Sequence, residues 1–210
     1  MPDLLFYTNP QSRGQIVRWM LEEVGAPYET RILDYASTLK EEPYLSINPM
    51  GKVPAIQHRG KVVTEVAAIC CYLADAFPEA GLAPEPSDRA DYYRFIFFAS
   101  GPIEAAFSNR AAGWEPTPER QRMFGYGNFD LAIATMAKML EGRTYICGDR
   151  FTAADLYVGS QLGFMLMFGM LEPRPVFNDY VARVTDRDPY RRAKELDAQA
   201  AEEMKQSAAQ

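Results

Sequence analysis

Histidine is almost missing from this chain: His58 is the only one in 210 residues. A Ser–His–Asp triad or a zinc site therefore has little to draw on, and no metal is expected. His58 itself, near a strand end, reads as a surface residue. Cysteine is scarce too. Cys70, Cys71 and Cys147 are odd in number and two are adjacent, so no disulfide framework follows and a reducing compartment is expected. The longest apolar run, residues 156–171, falls short of the ~20 residues that span a bilayer. It is also interrupted by Ser160, Gln161 and three glycines, and reads as a buried central helix. The opening Met1-Pro2-Asp3-Leu4-Leu5 lacks the basic and apolar segments of a signal peptide, which together with the thiols points to the cytoplasm. Cations are in deficit. The net charge of −6 argues against nucleic acid or an anionic membrane as partner.

What is present suffices for a real core, since 48% of the residues are apolar. Leu4-Leu5-Phe6-Tyr7 reads as a buried strand. Asn9-Pro10-Gln11-Ser12 breaks it, and Ile16, Val17, Met20, Leu21 and Val24 then recur at helical spacing until Gly25 and Pro27. Residues 28–33 predict a second strand, parallel to the first across the helical crossover. Residues 53–57 and 61–64 predict a hairpin about His58-Arg59-Gly60, followed by a helix through Ala67, Ala68, Cys71 and Tyr72. Pro78, Gly81, Pro84 and Pro86 mark a linker. The expected division is 1–78, a linker at 79–87, and 88–210, the last entirely helical. Within it, long helices are expected over about 88–112 and 119–141. Thr152-Ala153-Ala154-Asp155 is a capping-box start, which makes Asp155 structural. Residues 200–210 read as a frayed polar tail.

The most informative stretch is Asn48-Pro49-Met50-Gly51-Lys52-Val53-Pro54-Ala55-Ile56. Pro49 and Gly51 make a turn, and Pro54 opens a strand where a missing N–H is tolerated. Val53, before proline, is pushed to extended backbone, with an N–H and C=O open to an extended ligand added as a strand. Lys52 beside it suits an acidic one. This stretch, followed by a strand pair and then an acidic residue opening a helix, resembles the glutathione-binding half of glutathione S-transferases, and the rest of the chain is similar to that family along nearly its whole length. The resemblance implies an α/β thioredoxin-like N-terminal domain followed by an all-α helical bundle. It also implies a homodimer, and glutathione as co-substrate with no further cofactor. In the family the bond before the equivalent of Pro54 is cis, and the backbone at the equivalent of Val53 pairs with the cysteinyl moiety of glutathione.

A thiol with a pKa of about 8.5 is only partly thiolate at neutral pH, and the thiolate is the nucleophile. A hydroxyl donor between the first strand and first helix, aided by the positive helix end, would stabilise it. Ser12 is the first candidate, two residues after a proline where the helix starts, similar to the pattern of serine-type, theta- or phi-like members; its plainer role is an N-cap. Tyr7, near the tyrosine of tyrosine-type members, is second and otherwise a core aromatic. Thr8 is third, and Arg13 could assist by charge. No cysteine occupies this loop. The resemblance implies glutathione contacts from Lys52, Val53, Pro54 and Glu65, the last holding the γ-glutamyl ammonium. Lys40 could reach the glycyl carboxylate. Val66 stands where the family commonly has serine, which leaves only its backbone N–H for the γ-glutamyl carboxylate.

The reaction so implied is conjugation of glutathione to small hydrophobic electrophiles. Tyr92, Tyr93, Phe97, Trp114, Phe164, Met165 and Phe168 are among the candidates for the electrophile pocket, although aromatic stripes at helical spacing are usually core. The rivals are another glutathione-dependent reaction (peroxide reduction, isomerisation or dehalogenation), a non-catalytic glutathione or hydrophobic-ligand carrier, and a subunit or regulatory partner on the same fold.

Overall fold

The computed structural model describes residues 3–208. By packing, these residues form two units. One comprises residues up to Leu82 together with Asp186 onward, and the other comprises Ala83–Thr185.

The first unit is built on β1 (Leu4–Thr8), α1 (Gly14–Val24), β2 (Glu29–Ile32), a single-turn α2 (Tyr44–Ile47), β3 (Ala55–His58), β4 (Lys61–Thr64) and α3 (Val66–Ala76). The sheet order is β2-β1-β3-β4, with β2 parallel to β1 and the other two pairs antiparallel, the thioredoxin-like arrangement. Alternation along β1 sorts its side chains. Leu4, Phe6 and Thr8 are buried on the face that carries α1, where the Arg18 guanidinium lies 5.2 Å over the Phe6 ring. Leu5 and Tyr7 take the opposite face. There, Leu33, Leu39, Tyr44 and Ala55 form a small apolar cluster joined by Tyr7, Ile47 and Val53. The helical face of α1 buries Ile16, Val17, Met20 and Leu21, and Gly25 ends the helix in the left-handed region at φ 70°, a conformation glycine adopts without a Cβ clash.

The last helix, α9 (Asp188–Ala208), belongs to this first unit and packs along α1. Division by sequence order places residues 88–210 together, whereas packing returns 186–210 to the beginning of the chain. The cause is visible in α9. Ala193 and Asp197 are buried, Asp197 meets Arg18 at 2.9 Å, and Tyr190 packs edge-on against Trp19 at 4.8 Å. The same contacts correct the expected fraying from residue 200. The alanine-rich sequence has high helix propensity and continues as helix to Ala208; residues 209 and 210 lie outside the described residues.

The second unit is helical. α4 (Ala90–Phe98) runs through a π-helical turn at Ala99–Ile103 into α5 (Glu104–Ala111). Pro102 sits in that turn. Proline lacks an N–H and its ring crowds the carbonyl four residues back, so the expected uniform helix widens there instead of breaking. The helix expected from residue 119 begins only at Phe129 (α6, Phe129–Leu140). Gly127 takes φ 68°, and Asn128 caps the helix by accepting the Leu131 N–H at 2.8 Å. The central α7 (Ala153–Met167) starts on the expected capping box. Asp155 does more than cap: it accepts hydrogen bonds from the Ile146 and Thr152 N–H groups and from the Thr152 and Tyr180 hydroxyls, at 2.8–2.9 Å. These bonds work against a burial that raises its carboxyl. They also tie α7 to α8 (Pro175–Thr185). Among the described residues no helix is long and apolar enough to cross a membrane.

His58 is not the surface residue expected. It is 3% exposed, with Nδ1 3.0 Å from the Tyr72 hydroxyl and its ring stacked 5.3 Å from Phe77. The strand end is covered by α3 and the residue that follows it, neither of which is visible from local sequence.

Candidate active site

Register gathers the expected residues at one end of the sheet. Tyr7 at the end of β1 pairs with Ala55 at the start of β3, and Ala55 pairs with Thr64 at the end of β4. Three segments therefore leave the sheet at the same end. They are the β1–α1 loop with Ser12, the approach to β3 with Lys52, Val53 and Pro54, and the β4–α3 junction with Glu65 and Val66.

The Ser12 hydroxyl donates to the Asn9 carbonyl at 2.6 Å and accepts from the Gly14 N–H at 2.9 Å. Gly14 is the first residue of α1, so one orphan donor of the helix end is aimed at Ser12 Oγ. Gly14 has no room for a side chain, because a Cβ there would meet Thr8 Oγ1 at 1.9 Å. The helix start is thus pressed onto β1. Thr8 is fully buried beneath it, its hydroxyl 3.4 Å from the Asn9 carbonyl. Tyr7 lies on the other sheet face. Its ring packs against Tyr44 at 5.5 Å and its hydroxyl donates to Gln57 Oε1 at 3.4 Å. The three candidate hydroxyls are thus separated: Ser12 at the helix start, Thr8 under it, and Tyr7 across the sheet.

The loop before β3 is fixed from behind. The Tyr44 hydroxyl and Asn48 Nδ2 (2.8 Å) both donate to the Lys52 carbonyl. Burial pushes the Tyr44 hydroxyl up to about 12, so it stays a protonated donor. Lys40 Nζ donates to the Gly51 carbonyl at 2.7 Å. Gly51 holds φ 54°, and a Cβ there would come within 3.0 Å of the Leu39 carbonyl and Lys40 Nζ. The Val53–Pro54 peptide is cis. The sheet ladder begins at Ala55, which leaves the Val53 N–H and C=O outside it. Lys52 is exposed.

Glu65 has φ 66° and ψ 118°, an unusual conformation for a residue with a Cβ and one that concentrates at functional sites. Its carbonyl accepts the Ile69 N–H at 2.8 Å, which opens α3, and its side chain is exposed. Val66 and Ala67 follow with first-turn N–H groups that have no intrahelical acceptor.

Two of the three cysteines are held as thiols. Burial pushes the Cys70 thiol well up and the Cys147 thiol to about 11, so neither is poised as a thiolate. Among the residues expected to line an electrophile pocket, Tyr92 and Met165 are core, whereas Tyr93, Phe97, Trp114, Phe164 and Phe168 are exposed. Sequence reasoning missed Tyr44, Asn48 and Asn9, which act through backbone carbonyls. Only Asn48 carried a signal, as the first residue of the turn.

Residues 12–76 match the family described as glutathione S-transferase, N-terminal domain. A glutathione S-transferase designated GST-4.5 from Xanthomonas campestris pv. campestris is 28% identical over 159 residues, covering 72% of this chain and 78% of the relative. Among solved structures, the glutathione transferase of Methylococcus capsulatus is similar with a TM-score of 0.74 and 28% identity, over 93% of this chain and 98% of that one. A sphingomonad glutathione S-transferase, solved in complex with glutathione, gives a TM-score of 0.74 and 26% identity over 92% and 98%.

Proposed function

We propose that this protein is a glutathione transferase that activates the glutathione thiol through Ser12 for attack on small hydrophobic electrophiles. The observation that carries the reading is the convergence of a hydroxyl at a helix start, a Val53 backbone outside the sheet ladder and a strained acidic helix opening at one end of a thioredoxin-like sheet. Similarity to transferases over most of the chain supports it.

Glutathione is a short extended peptide with a carboxylate at each end and an ammonium at one. Val53 pairs with its cysteinyl amide as an added strand, and Glu65 takes the ammonium. The Val66 N–H at the α3 start takes the γ-glutamyl carboxylate, and Lys52 takes the glycyl carboxylate. Lys40 Nζ braces the Gly51 carbonyl and keeps two further N–H donors, with which it could meet the glycyl carboxylate as well. The sulfur then lies before the start of α1. The Gly14 N–H occupies a lone pair of Ser12 Oγ and polarises the hydroxyl. On binding, Ser12 turns its proton from the Asn9 carbonyl to the sulfur. The helix end, with about half a positive charge, favours the thiolate further. Each unit by which the thiol pKa falls corresponds to about 1.4 kcal/mol. Tyr7 is left as a core aromatic that shapes the floor under Val53. The protein acts in this reading as a cytoplasmic homodimer in detoxification. Peroxide reduction, isomerisation and dehalogenation would use the same thiolate with a different pocket.

The test is retention on immobilised glutathione together with turnover of a generic aromatic halide. Retention with turnover is expected. Retention without turnover of any electrophile indicates a carrier, and failure of both overturns the reading.

A further inference from the structure

We infer that Gln15 is a positioning residue for the Ser12 loop and that Lys194, on the C-terminal helix α9, sets its orientation. The inference rests on the transferase reading above.

The peptide unit between Pro10 and Gln11 immediately precedes the one that carries Ser12. Both of its polar atoms are clamped by side-chain amides. The Gln11 N–H donates to Asn9 Oδ1 at 2.9 Å, and the Pro10 carbonyl accepts from Gln15 Nε2 at 2.6 Å. Asn9 is itself locked, since its Nδ2 donates to the Leu33 carbonyl at 2.8 Å. Its own carbonyl receives both the N–H (2.9 Å) and the hydroxyl (2.6 Å) of Ser12. Pro10 has no N–H, so that residue can be held only through its carbonyl, and Gln15 holds it.

An amide can flip, which would exchange its donor and acceptor. Here it cannot flip without losing both bonds. Its Oε1 accepts from Lys194 Nζ at 2.9 Å; an ammonium only donates and a carbonyl only accepts. The α9 helix is fastened to α1 beside this point by the buried Arg18–Asp197 pair and by Arg187, whose guanidinium grips both oxygens of Glu23 at 2.6 and 2.7 Å. Lys194 is therefore presented from a fixed helix. The loop that would present Ser12 to the thiol is referenced through Gln15 to a helix more than 170 residues further along.

Gln15→Glu separates the two bonds. A glutamate keeps the partner for Lys194 but cannot donate to the Pro10 carbonyl. The readouts are the pKa of the bound glutathione thiol, followed by thiolate absorbance, together with kcat, the glutathione dissociation constant and Tm. The expected result is a raised thiol pKa and a kcat lowered about 3- to 10-fold, the scale of one lost net hydrogen bond, with dissociation constant and Tm little changed. Gln15→Asn, uncharged and too short to span the same distance, should raise the thiol pKa and lower kcat too, which separates lost positioning from the added charge of Gln15→Glu; unchanged values in Gln15→Asn overturn the inference. Lys194→Met should shift both readouts the same way by a smaller factor. Unchanged thiol pKa and kcat in Gln15→Glu overturn the inference. A loss in Gln15→Glu with none in Lys194→Met overturns the part assigned to α9. A wild-type protein that neither binds glutathione nor turns over overturns the transferase reading, and this inference with it.

Discussion

Glu65 carries the clearest local signature of function. A non-glycine residue at φ 66° costs of order 1–3 kcal/mol, and its side chain is exposed. The conformation opens α3, and in the proposed binding mode the Val66 and Ala67 N–H groups would meet a carboxylate while Glu65 would meet the neighbouring ammonium. Glu65→Ala is expected to weaken glutathione binding about tenfold, the worth of one charge-assisted contact, with Glu65→Gln intermediate. Calorimetric titration checks this, and an unchanged dissociation constant would remove Glu65 from the site. The turn before β3 and the Val53–Pro54 step were legible because proline and glycine set backbone shape locally; the ligand roles given to Lys52, Val53, Pro54 and Glu65 come from the family resemblance and stand as proposals. The place of Ser12 at the start of α1 was legible for the same reason, through the break at Pro10. Tyr7 was harder to rank. Its place on the face away from α1 follows from strand alternation, but only once the register is known. Asn9 and Gln15 were not legible, because nothing in an amide's sequence neighbourhood says which carbonyl it will clamp.

At the scale of elements, the β3–β4 hairpin and α3 are joined through His58. Burial lowers its pKa below 6.5, helped by the Arg59 charge and opposed by Asp3. The folded protein therefore takes up this proton less readily than the unfolded chain. The stability involved is fully present above pH 6.5 and is lost as the pH falls from there through the lowered folded value. No other histidine competes in this window. Denaturant unfolding between about pH 7.5 and 5.5 should show stability declining with acid in the wild type and a flatter profile in His58→Phe; equal slopes would contradict the burial account. Other elements show what periodicity alone misses. The helical pattern over residues 119–141 was real only from Phe129, because Gly127 and Asn128 supply turn and cap chemistry that outweighs propensity. The polar run after residue 200 stays helical because it continues α9, whose first half is packed on α1 through Tyr190, Ala193 and Asp197.

At the scale of the whole molecule, the beginning and end of the chain fold together. The Arg18–Asp197 pair illustrates both the benefit and the cost. Asp197 Oδ2 is buried with no hydrogen-bond partner, and burial raises its carboxyl against the pull of Arg18. Such a pair adds little net stability but is costly to break from one side, which suits a contact that fixes α9 in one place on α1. The order of elements, and so the thioredoxin-like fold, could be read along the chain. The return of α9 could not, because sequence order does not record which unit a helix joins.

The central claim is that Ser12, and not Tyr7, stabilises the thiolate of bound glutathione. The most direct measurement is the ionisation of the bound thiol by ultraviolet titration in the wild type, Ser12→Ala and Tyr7→Phe. The expected pKa lies well below the ~8.5 of a free thiol in the wild type and in Tyr7→Phe, and rises towards that value in Ser12→Ala with glutathione still bound, the helix end retaining part of the shift. A pKa that survives in Ser12→Ala and reverts in Tyr7→Phe would contradict the claim.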